Sequence, residues 1–236
     1  MIDLYFWPTP NGQKIPIMLE ECGLEYRVKP VNMLRGEQFK PAFLRINPNN
    51  KIPAIVDHEA PGGALSLFES GAILAYLAEK TGLFLPLESS AKHAAMQWLF
   101  WQVGGLGPMA GQAHHFRAFA SEHVPYGIAR YTQEVNRLYG VLDRQLAIKE
   151  FVAGDYSIAD MAIWPWIKPH ERQGQNLEDF PALRRWFDAV GQRPAVRRAL
   201  ELGDERRADE EGHRHLYGQT AASVAAASSK AGAKKS

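Results

Sequence analysis

Residues 50–57 read Asn50-Lys51-Ile52-Pro53-Ala54-Ile55-Val56-Asp57, a polar loop that leads through a proline into a short apolar strand. Proline has no N–H to give to a sheet, so its place here constrains how the chain enters the strand. A cis Ile52–Pro53 bond would turn the backbone sharply and expose the N–H and C=O of Ile52, with which an extended peptide could pair. A trans proline at the start of a strand fits the same spacing, and the spacing alone leaves both open.

Upstream of this loop the pattern predicts a β-α-β unit. Residues 2–7 are rich in β-formers and end in the turn cluster Pro8-Thr9-Pro10-Asn11-Gly12. An apolar face at helical spacing follows from Ile15 to Cys22, and Gly23 ends the helix. Residues 25–31 alternate polar and apolar side chains, which is typical of a strand. A strand, a helix and a strand in this order predict a parallel pair of strands.

Downstream of the loop the pattern predicts a β-β-α unit. Strands are expected at residues 54–57 and 65–68, joined by a Gly62-Gly63 turn. Glu69-Ser70 then opens a helix that ends at Thr81-Gly82, while residues 36–44 have the pattern of a short irregular helix. The first part of the chain is therefore predicted to be a compact α/β domain.

The rest of the chain shows only helical patterns, in residues 91–103, 126–146, 158–167 and 183–190. Ser157 and Asp160 have the spacing of a helix-opening capping box. We expect an α/β domain at residues 1–82, a linker at 83–90, an all-α domain at 91–205 and a tail at 206–236. The tail has few large apolar side chains, so we expect it to be disordered.

Composition excludes several classes of protein. The 236 residues carry 27 Lys and Arg against 26 Asp and Glu, so the net charge of +1 argues against a nucleic-acid coat or an anionic-membrane binder. One cysteine rules out an intrachain disulfide. An acid near the N-terminus argues against a signal peptide, and no run approaches the roughly 18 apolar residues of a membrane span. We therefore expect a cytoplasmic protein. The adjacent His114 and His115 point apart on a helix, so no metal site is expected.

Two turns carry side chains suited to binding. Thr9 and Asn11 follow the first strand, where ligands bind in α/β sheets, and both can donate a hydrogen bond to a sulfur or oxygen anion. Glu69 and Ser70 stand at a helix start, where a carboxylate could meet free N–H groups and Glu69 could accept from an ammonium group. Ordinary turn formation by Thr9 and Asn11, and simple capping by Ser70, are the alternatives.

The order of these units, and four stretches within them, resemble the glutathione transferases, and in particular their bacterial Nu class. The stretches are residues 8–12, 49–58, 67–74 and 97–109. The class is similar to the globular part of the yeast nitrogen-regulatory prion protein, and the resemblance covers residues 1 to about 205. It implies an α/β plus all-α fold, with an N-terminal thioredoxin-like domain, a cis proline at Pro53 and an all-helical C-terminal domain.

The resemblance also implies residue roles in binding glutathione. Thr9 and Asn11 would hold the cysteinyl sulfur, and Ile52 would pair its backbone with the cysteinyl residue. The other implied contacts are Gln38 and Lys51 with the glycyl carboxylate, Glu69 and Ser70 with the γ-glutamyl end, and Arg130 of the partner subunit in a homodimer.

The activity implied is reduction of small disulfides by bound glutathione thiols, as two glutathiones or one oxidised dimer per subunit. The turn after the first strand offers threonine where many transferases have an activating Tyr, Ser or Cys, and Cys22 is interpreted as a core residue. The alternatives are a transferase or peroxidase acting on electrophiles or organic peroxides, and a non-catalytic glutathione-binding regulator. Glutathione is the expected co-substrate, and neither a metal, a nucleic acid nor a membrane is an expected partner.

Overall fold

A computed structural model describes residues 1–203, 219–223 and 225–226 of the chain. Its sheet contains β1 (Ile2–Phe6), β2 (Tyr26–Pro30), β3 (Ala54–Asp57) and β4 (Leu65–Phe68), in the order β2-β1-β3-β4. Strands β1 and β2 pair in parallel, as the β-α-β pattern predicts, with Ile2 opposite Tyr26. Strand β3 runs antiparallel to both β1 and β4. The Ala54 end of β3 is thereby placed next to Tyr5, close to where β1 ends.

Helix α1 (Pro10–Glu21) connects β1 to β2 and is buried along most of its length. All residues from Gly12 to Leu19 are buried, although Pro16 lies inside the helix. Over these residues the helix has no solvent face on which to place its polar side chains. The prediction that Cys22 is a core residue is wrong, because Cys22 is the C-cap of α1 and is only half-buried.

The remainder of the sheet region is short helical turns and one longer helix. Residues Met33–Arg35 and Glu37–Phe39 form 3₁₀ turns before α2 (Pro41–Leu44), where the sequence predicts an irregular helix. Helix α3 (Ser70–Thr81) follows β4.

The rest of the chain up to residue 203 is mainly helical. The helices are α4 (Ser89–Trp101), α5 (Gly107–His114), α6 (Pro125–Ile148), α7 (Ile158–Ile167), α8 (Pro181–Gly191) and α9 (Pro194–Glu201). π-Helical segments at Gln102–Leu106 and His115–Phe119 flank α5. The fold class expected from the sequence, a thioredoxin-like α/β domain followed by a helical domain, is confirmed. None of the helices described combines the length and apolar character needed to cross a membrane.

The chain forms two compact units. The first contains Met1–Ile73 together with the described residues from Arg198 onward, and the second is Leu74–Arg197. Within the first unit, Arg198 Nε lies 2.7 Å from Glu20 Oε2, and the Tyr26 hydroxyl donates to Glu20 Oε1 at 2.8 Å. These bonds attach the C-terminal return of the chain to α1 and β2. Most of the predicted tail, 206–236, lies outside the described residues.

Candidate functional site

Thr9 begins helix α1 and presents a hydroxyl at its N-terminus. Thr9 is extended (φ −103°, ψ 164°), and its Oγ1 accepts a hydrogen bond from Gly12 N at 3.1 Å. This bond uses an oxygen lone pair, so the Thr9 O–H can still donate. The first turn of α1 is fully described and contains no acidic residue. The partial positive charge of this helix end is therefore not offset by a carboxylate of its own.

The turn from β1 into α1 requires glycine at position 12. Thr9 N donates to Trp7 O at 2.8 Å, which folds the chain back on itself. A Cβ at Gly12 would lie 2.0 Å from the same Trp7 oxygen, well inside contact distance. Asn11 occupies the first turn beside Thr9 and is half-buried. The sequence therefore places a hydroxyl and an amide together on one tight turn.

The loop before β3 is supported by Asn47, which the sequence analysis did not single out. Asn47 is 1% exposed, its Nδ2 donates to Lys51 O at 2.5 Å, and its Oδ1 accepts from Asn49 N at 2.8 Å. An asparagine whose side chain bonds the backbone two residues further on is typical of a turn. The asparagine at position 47 was therefore the feature of the sequence that could have indicated this support. The loop leaves Lys51 exposed and Ile52 buried, and the Ile52–Pro53 bond is cis.

Glu69 and Ser70 form a strained entry into α3. Glu69 is exposed and has φ +66°, a conformation uncommon outside glycine and often found at functional sites. Its Oε1 lies 3.5 Å from Asn49 Nδ2, which joins it to the loop before β3. Ser70 is buried, and its Oγ accepts from Lys14 Nζ at 3.1 Å. Lys14 is the second residue that the sequence analysis missed, because polar residues on an amphipathic helix are expected to face solvent.

Gln38 is placed differently from the other predicted site residues. It lies in the 3₁₀ turn Glu37–Phe39, is 1% exposed, and its Nε2 donates to Met33 O at 3.2 Å. Lys51, by contrast, is exposed. Of the two residues predicted to hold the glycyl carboxylate, only Lys51 is presented at the surface of this chain.

Arg130 belongs to the second unit. It is exposed near the start of α6 and lines an open depression of about 720 Å³. Tyr126, Glu134 and Arg137 line the same depression. Arg137 forms an ion pair with Glu134 at 2.7 Å. The depression therefore contains two guanidinium groups: that of Arg137, which is paired with Glu134, and that of Arg130, which is exposed.

Ser157 and Asp160 form a closed cap at the start of α7. Ser157 Oγ accepts from Ala159 N at 3.3 Å, and Asp160 Oδ2 accepts from Ser157 N at 3.0 Å. Asp160 Oδ1 also accepts from Val152 N at 3.1 Å and from Trp186 Nε1 at 2.8 Å. Asp160 is fully buried, and burial raises the pKa of its carboxyl to about 6. The pair is enclosed by protein donors, so its part in the molecule is structural.

Side chains of the described residues do not form a metal site, since they include no group of three His, Cys, Asp or Glu placed to hold an ion. Tyr5, the aromatic hydroxyl nearest the end of β1, is half-buried, and burial raises the pKa of its phenol. The first unit thus offers hydrogen-bond donors, a helix N-terminus, exposed Lys51 and the carboxylate of Glu69. Such a set can bind a small zwitterionic peptide and stabilise an anion near Thr9.

Comparison with known proteins agrees with this chemistry. Residues 2–79 match the family described as Glutathione S-transferase, N-terminal domain, and residues 110–194 match Glutathione S-transferase, C-terminal domain. The disulfide-bond oxidoreductase YfcG of Escherichia coli is 57% identical over 212 residues, which cover 87% of this chain and 99% of YfcG.

Two solved structures are similarly close. A glutathione transferase family member from Pseudomonas fluorescens, with two glutathione bound, is 46% identical with a TM-score of 0.80, covering 85% of this chain and 92% of its own. A glutathione transferase from Pseudomonas putida, with one glutathione disulfide bound per subunit, is 43% identical with a TM-score of 0.81, covering 85% and 91%.

Proposed function

This chain belongs to the glutathione S-transferase family, and on that premise we propose that it is a disulfide-bond oxidoreductase that takes its electrons from glutathione. Two relatives support the proposal directly: one is named a disulfide-bond oxidoreductase, and another was solved with glutathione disulfide, the oxidised product of such a reaction. The exposed or accessible donors of the first unit are suited to both ends of the tripeptide.

We assign each part of glutathione to residues whose chemistry matches it. The thiolate lies by Thr9 and Asn11, and the cysteinyl backbone pairs with Ile52. Lys51 binds the glycyl carboxylate as a point charge, and Gln38 is assigned to the same carboxylate. Glu69 accepts from the γ-glutamyl ammonium, and Ser70 donates to its carboxylate.

The sulfur atoms of the reaction come from glutathione, because the chain does not place thiols at the site. The sequence has one cysteine, Cys22, at the C-terminal end of α1. Thr9 is at the other end of this twelve-residue helix, a length of about 18 Å at the usual rise per residue. Disulfide exchange needs the attacking and the attacked sulfur in contact, so Cys22 cannot take part at the Thr9 end.

The mechanism has two exchange steps. The thiolate of one bound glutathione attacks a substrate disulfide, forms a mixed disulfide and expels one substrate thiolate. The thiolate of a second glutathione attacks the glutathione sulfur of that mixed disulfide, which gives glutathione disulfide and releases the other substrate thiolate. Each released thiolate takes up a proton, so two glutathione thiols are oxidised while one disulfide is reduced. The chain stabilises the attacking thiolate with the Thr9 hydroxyl, the Asn11 amide and the α1 N-terminus.

One observation carries the proposal: the Thr9 oxygen accepts from Gly12 N, so its hydroxyl proton is available to a sulfur anion. Steady-state reduction of 2-hydroxyethyl disulfide by glutathione tests it. We expect Thr9→Ala to lower kcat/KM by about 10- to 100-fold, the scale for loss of one hydrogen bond to a charged group. Thr9→Ser is the matched control and keeps most of the activity, because it keeps the hydroxyl.

Cys22→Ala separates this proposal from one that uses a protein thiol. We expect it to reduce disulfide at the wild-type rate, and loss of activity in this variant would contradict the assignment. Conjugation of 1-chloro-2,4-dinitrobenzene, measured in parallel, is expected to be slow. Fast conjugation without disulfide reduction would favour a transferase, and glutathione binding without either activity would favour a regulatory protein.

We further propose a homodimer of the Nu class, cytoplasmic, in which Arg130 of the partner subunit reaches the ligand. The exposure of Arg130 supports this, because a guanidinium can clamp a carboxylate with two parallel bonds. Arg130→Ala should raise KM for glutathione. Arg137→Ala, which removes a cation of the same depression that is paired with Glu134, is the control and should leave KM unchanged.

A further inference from the structure

Lys14 is a buried cation that neither the fold nor the mechanism above explains. It lies in the second turn of α1 and is 1% exposed. Lysine is almost never fully buried without a partner, because taking an ammonium group out of water is costly. A well-packed apolar side chain at this position would avoid that cost. The cost of burying Lys14 in α1 is therefore expected to be offset by a function of its ammonium group in the neighbouring site.

The side chain of Lys14 reaches the start of α3. Its Nζ donates to Ser70 Oγ at 3.1 Å, a hydrogen bond between two buried side chains that are 56 residues apart in sequence. The neighbouring carboxylate of Glu69 acts on the same ammonium group and favours its charged form. Burial has the larger, opposite effect and lowers the pKa of Lys14 to about 7. Around neutral pH the group is therefore poised between its two protonation states.

This hydrogen bond sets the direction of the others made by Ser70. In its charged form Lys14 has three N–H donors and no acceptor, so Ser70 Oγ then accepts from it. A hydroxyl that accepts from one side offers its own proton in another direction. Ser70 also stands at the N-terminus of α3, where negative charge is favoured. A carboxylate is the ligand group that matches a hydroxyl donor backed by a positive charge.

We propose that Lys14 is a positioning residue of the glutathione site, which holds Ser70 as a donor and so selects the α-carboxylate of the γ-glutamyl end. The proposal rests on the proposed function, because it takes the Glu69–Ser70 turn as the γ-glutamyl subsite. Glu69 provides the matching acceptor for the α-ammonium. Lys14 and Glu69 together favour a free α-amino acid end over a peptide that has lost either charge.

Binding of S-methylglutathione tests the role of Lys14, since this ligand has no thiol to ionise or react. We expect Lys14→Met to weaken binding by about 10- to 100-fold, the range for removal of a charge-assisted hydrogen bond from a buried site. Lys14→Gln, which is neutral but polar, should weaken it by a similar factor. The thermal midpoint of Lys14→Met should stay at or above that of the wild type, because a buried charge is replaced by an apolar side chain of similar length.

A double-mutant cycle with Ser70→Ala shows whether Lys14 acts through Ser70. If it does, Lys14→Met adds little to the loss already caused by Ser70→Ala, since residues of one hydrogen-bond network are not additive. In the disulfide reductase assay, Lys14→Met should raise KM for glutathione and leave kcat within about threefold, as expected when uniform binding is weakened.

The ligand can be varied as well as the protein. An S-methyl tripeptide with 4-aminobutyrate in place of the γ-glutamyl residue lacks only the α-carboxylate. The wild type should bind it far more weakly than S-methylglutathione, and Lys14→Met should bind the two nearly alike. Equal discrimination in both proteins, or a loss of binding that follows a fall in thermal midpoint, would overturn the proposal.

These readouts separate the two proposals. Wild-type protein that binds S-methylglutathione in a Lys14-dependent manner but does not reduce disulfides would contradict the oxidoreductase function alone. Wild-type protein that neither binds S-methylglutathione nor reduces disulfides would overturn both.

Discussion

Helices α1 and α7 both begin at a hydroxyl residue, Thr9 and Ser157, and they use it in opposite ways. In α7 the third helical residue is Asp160, which bonds back to Ser157 N and is enclosed by Val152 N and Trp186 Nε1. In α1 the same position is Gly12, and the first turn has no acid. The first arrangement closes the helix start with the protein's own carboxylate. The second leaves the helix start without a carboxylate of its own, which suits it to the thiolate that we propose binds there.

The largest effect is expected where the closed cap is broken. Asp160→Ala removes the acceptor from several buried donors, and each donor left unsatisfied costs about 1–3 kcal/mol. We expect a fall of about 4 kcal/mol in the free energy of unfolding, measured by urea denaturation. Asp143→Ala is the matched control, because half-buried Asp143 accepts from Ala182 N and Leu183 N at the start of α8. It should cost less. An Asp160→Ala protein of normal stability would remove the distinction between the two caps.

A smaller loss of stability is expected at the open cap. Gly12→Ala would bring a methyl group to 2.0 Å from Trp7 O, so the turn must shift. We expect a loss of about 1–3 kcal/mol, the usual cost of overpacking, and a fall in disulfide reductase kcat/KM at a temperature where the variant is fully folded. Gly104→Ala is the control, since an added Cβ there meets no atom within 4 Å. Wild-type kinetics for Gly12→Ala would show that the Thr9 turn is not part of the site.

The smallest expected effect is a pH dependence of ligand binding. It extends the comparison to α3, where Lys14 Nζ donates to Ser70 at the start of the helix. Lys14 has a pKa of about 7 in the folded protein, lowered by burial, with Glu69 as the charged group that opposes this shift. Its charged form is lost as pH rises through 7. We therefore expect the Kd of S-methylglutathione to rise about four- to eightfold from about pH 6.5 to about pH 8, a size that follows from proton linkage at one site when loss of the charge weakens binding by about 10- to 100-fold. In Lys14→Met this rise should be absent, and a rise of the same size in that variant would assign it to another group.

Most helices and strands could be predicted from local sequence pattern, and their predicted bounds lie close to the observed ones. Strands β3 and β4 were predicted at the residues where they occur, and α6 differs by one or two residues at each end. The capping box of α7 was also readable, because Ser and Asp at three-residue spacing satisfy each other locally. Short-range hydrogen bonding and periodicity carry such information within a few residues.

Burial that depends on distant packing could not be predicted. Lys14 and Asn47 are polar, and a polar residue on a helix or loop is expected to be exposed. Their burial follows from α1 being covered along its length and from the loop folding over Asn47. Helix α5 was missed because it has only eight residues and lies between two π-helical segments. The cis state at Pro53 was likewise open from spacing and came only from resemblance.

The return of the chain at Arg198 to Glu20 has a consequence for synthesis on the ribosome. The first unit begins at Met1 but includes Arg198, so the whole segment Leu74–Arg197 must be translated before it is complete. At about 5–20 residues per second, that interval is roughly 6–25 s. During this time β1 to β4 can pair while the bond that joins α1 to the C-terminal return is missing. The first unit therefore begins to emerge from the ribosome before the second unit, but its last residues are translated after the second unit is complete.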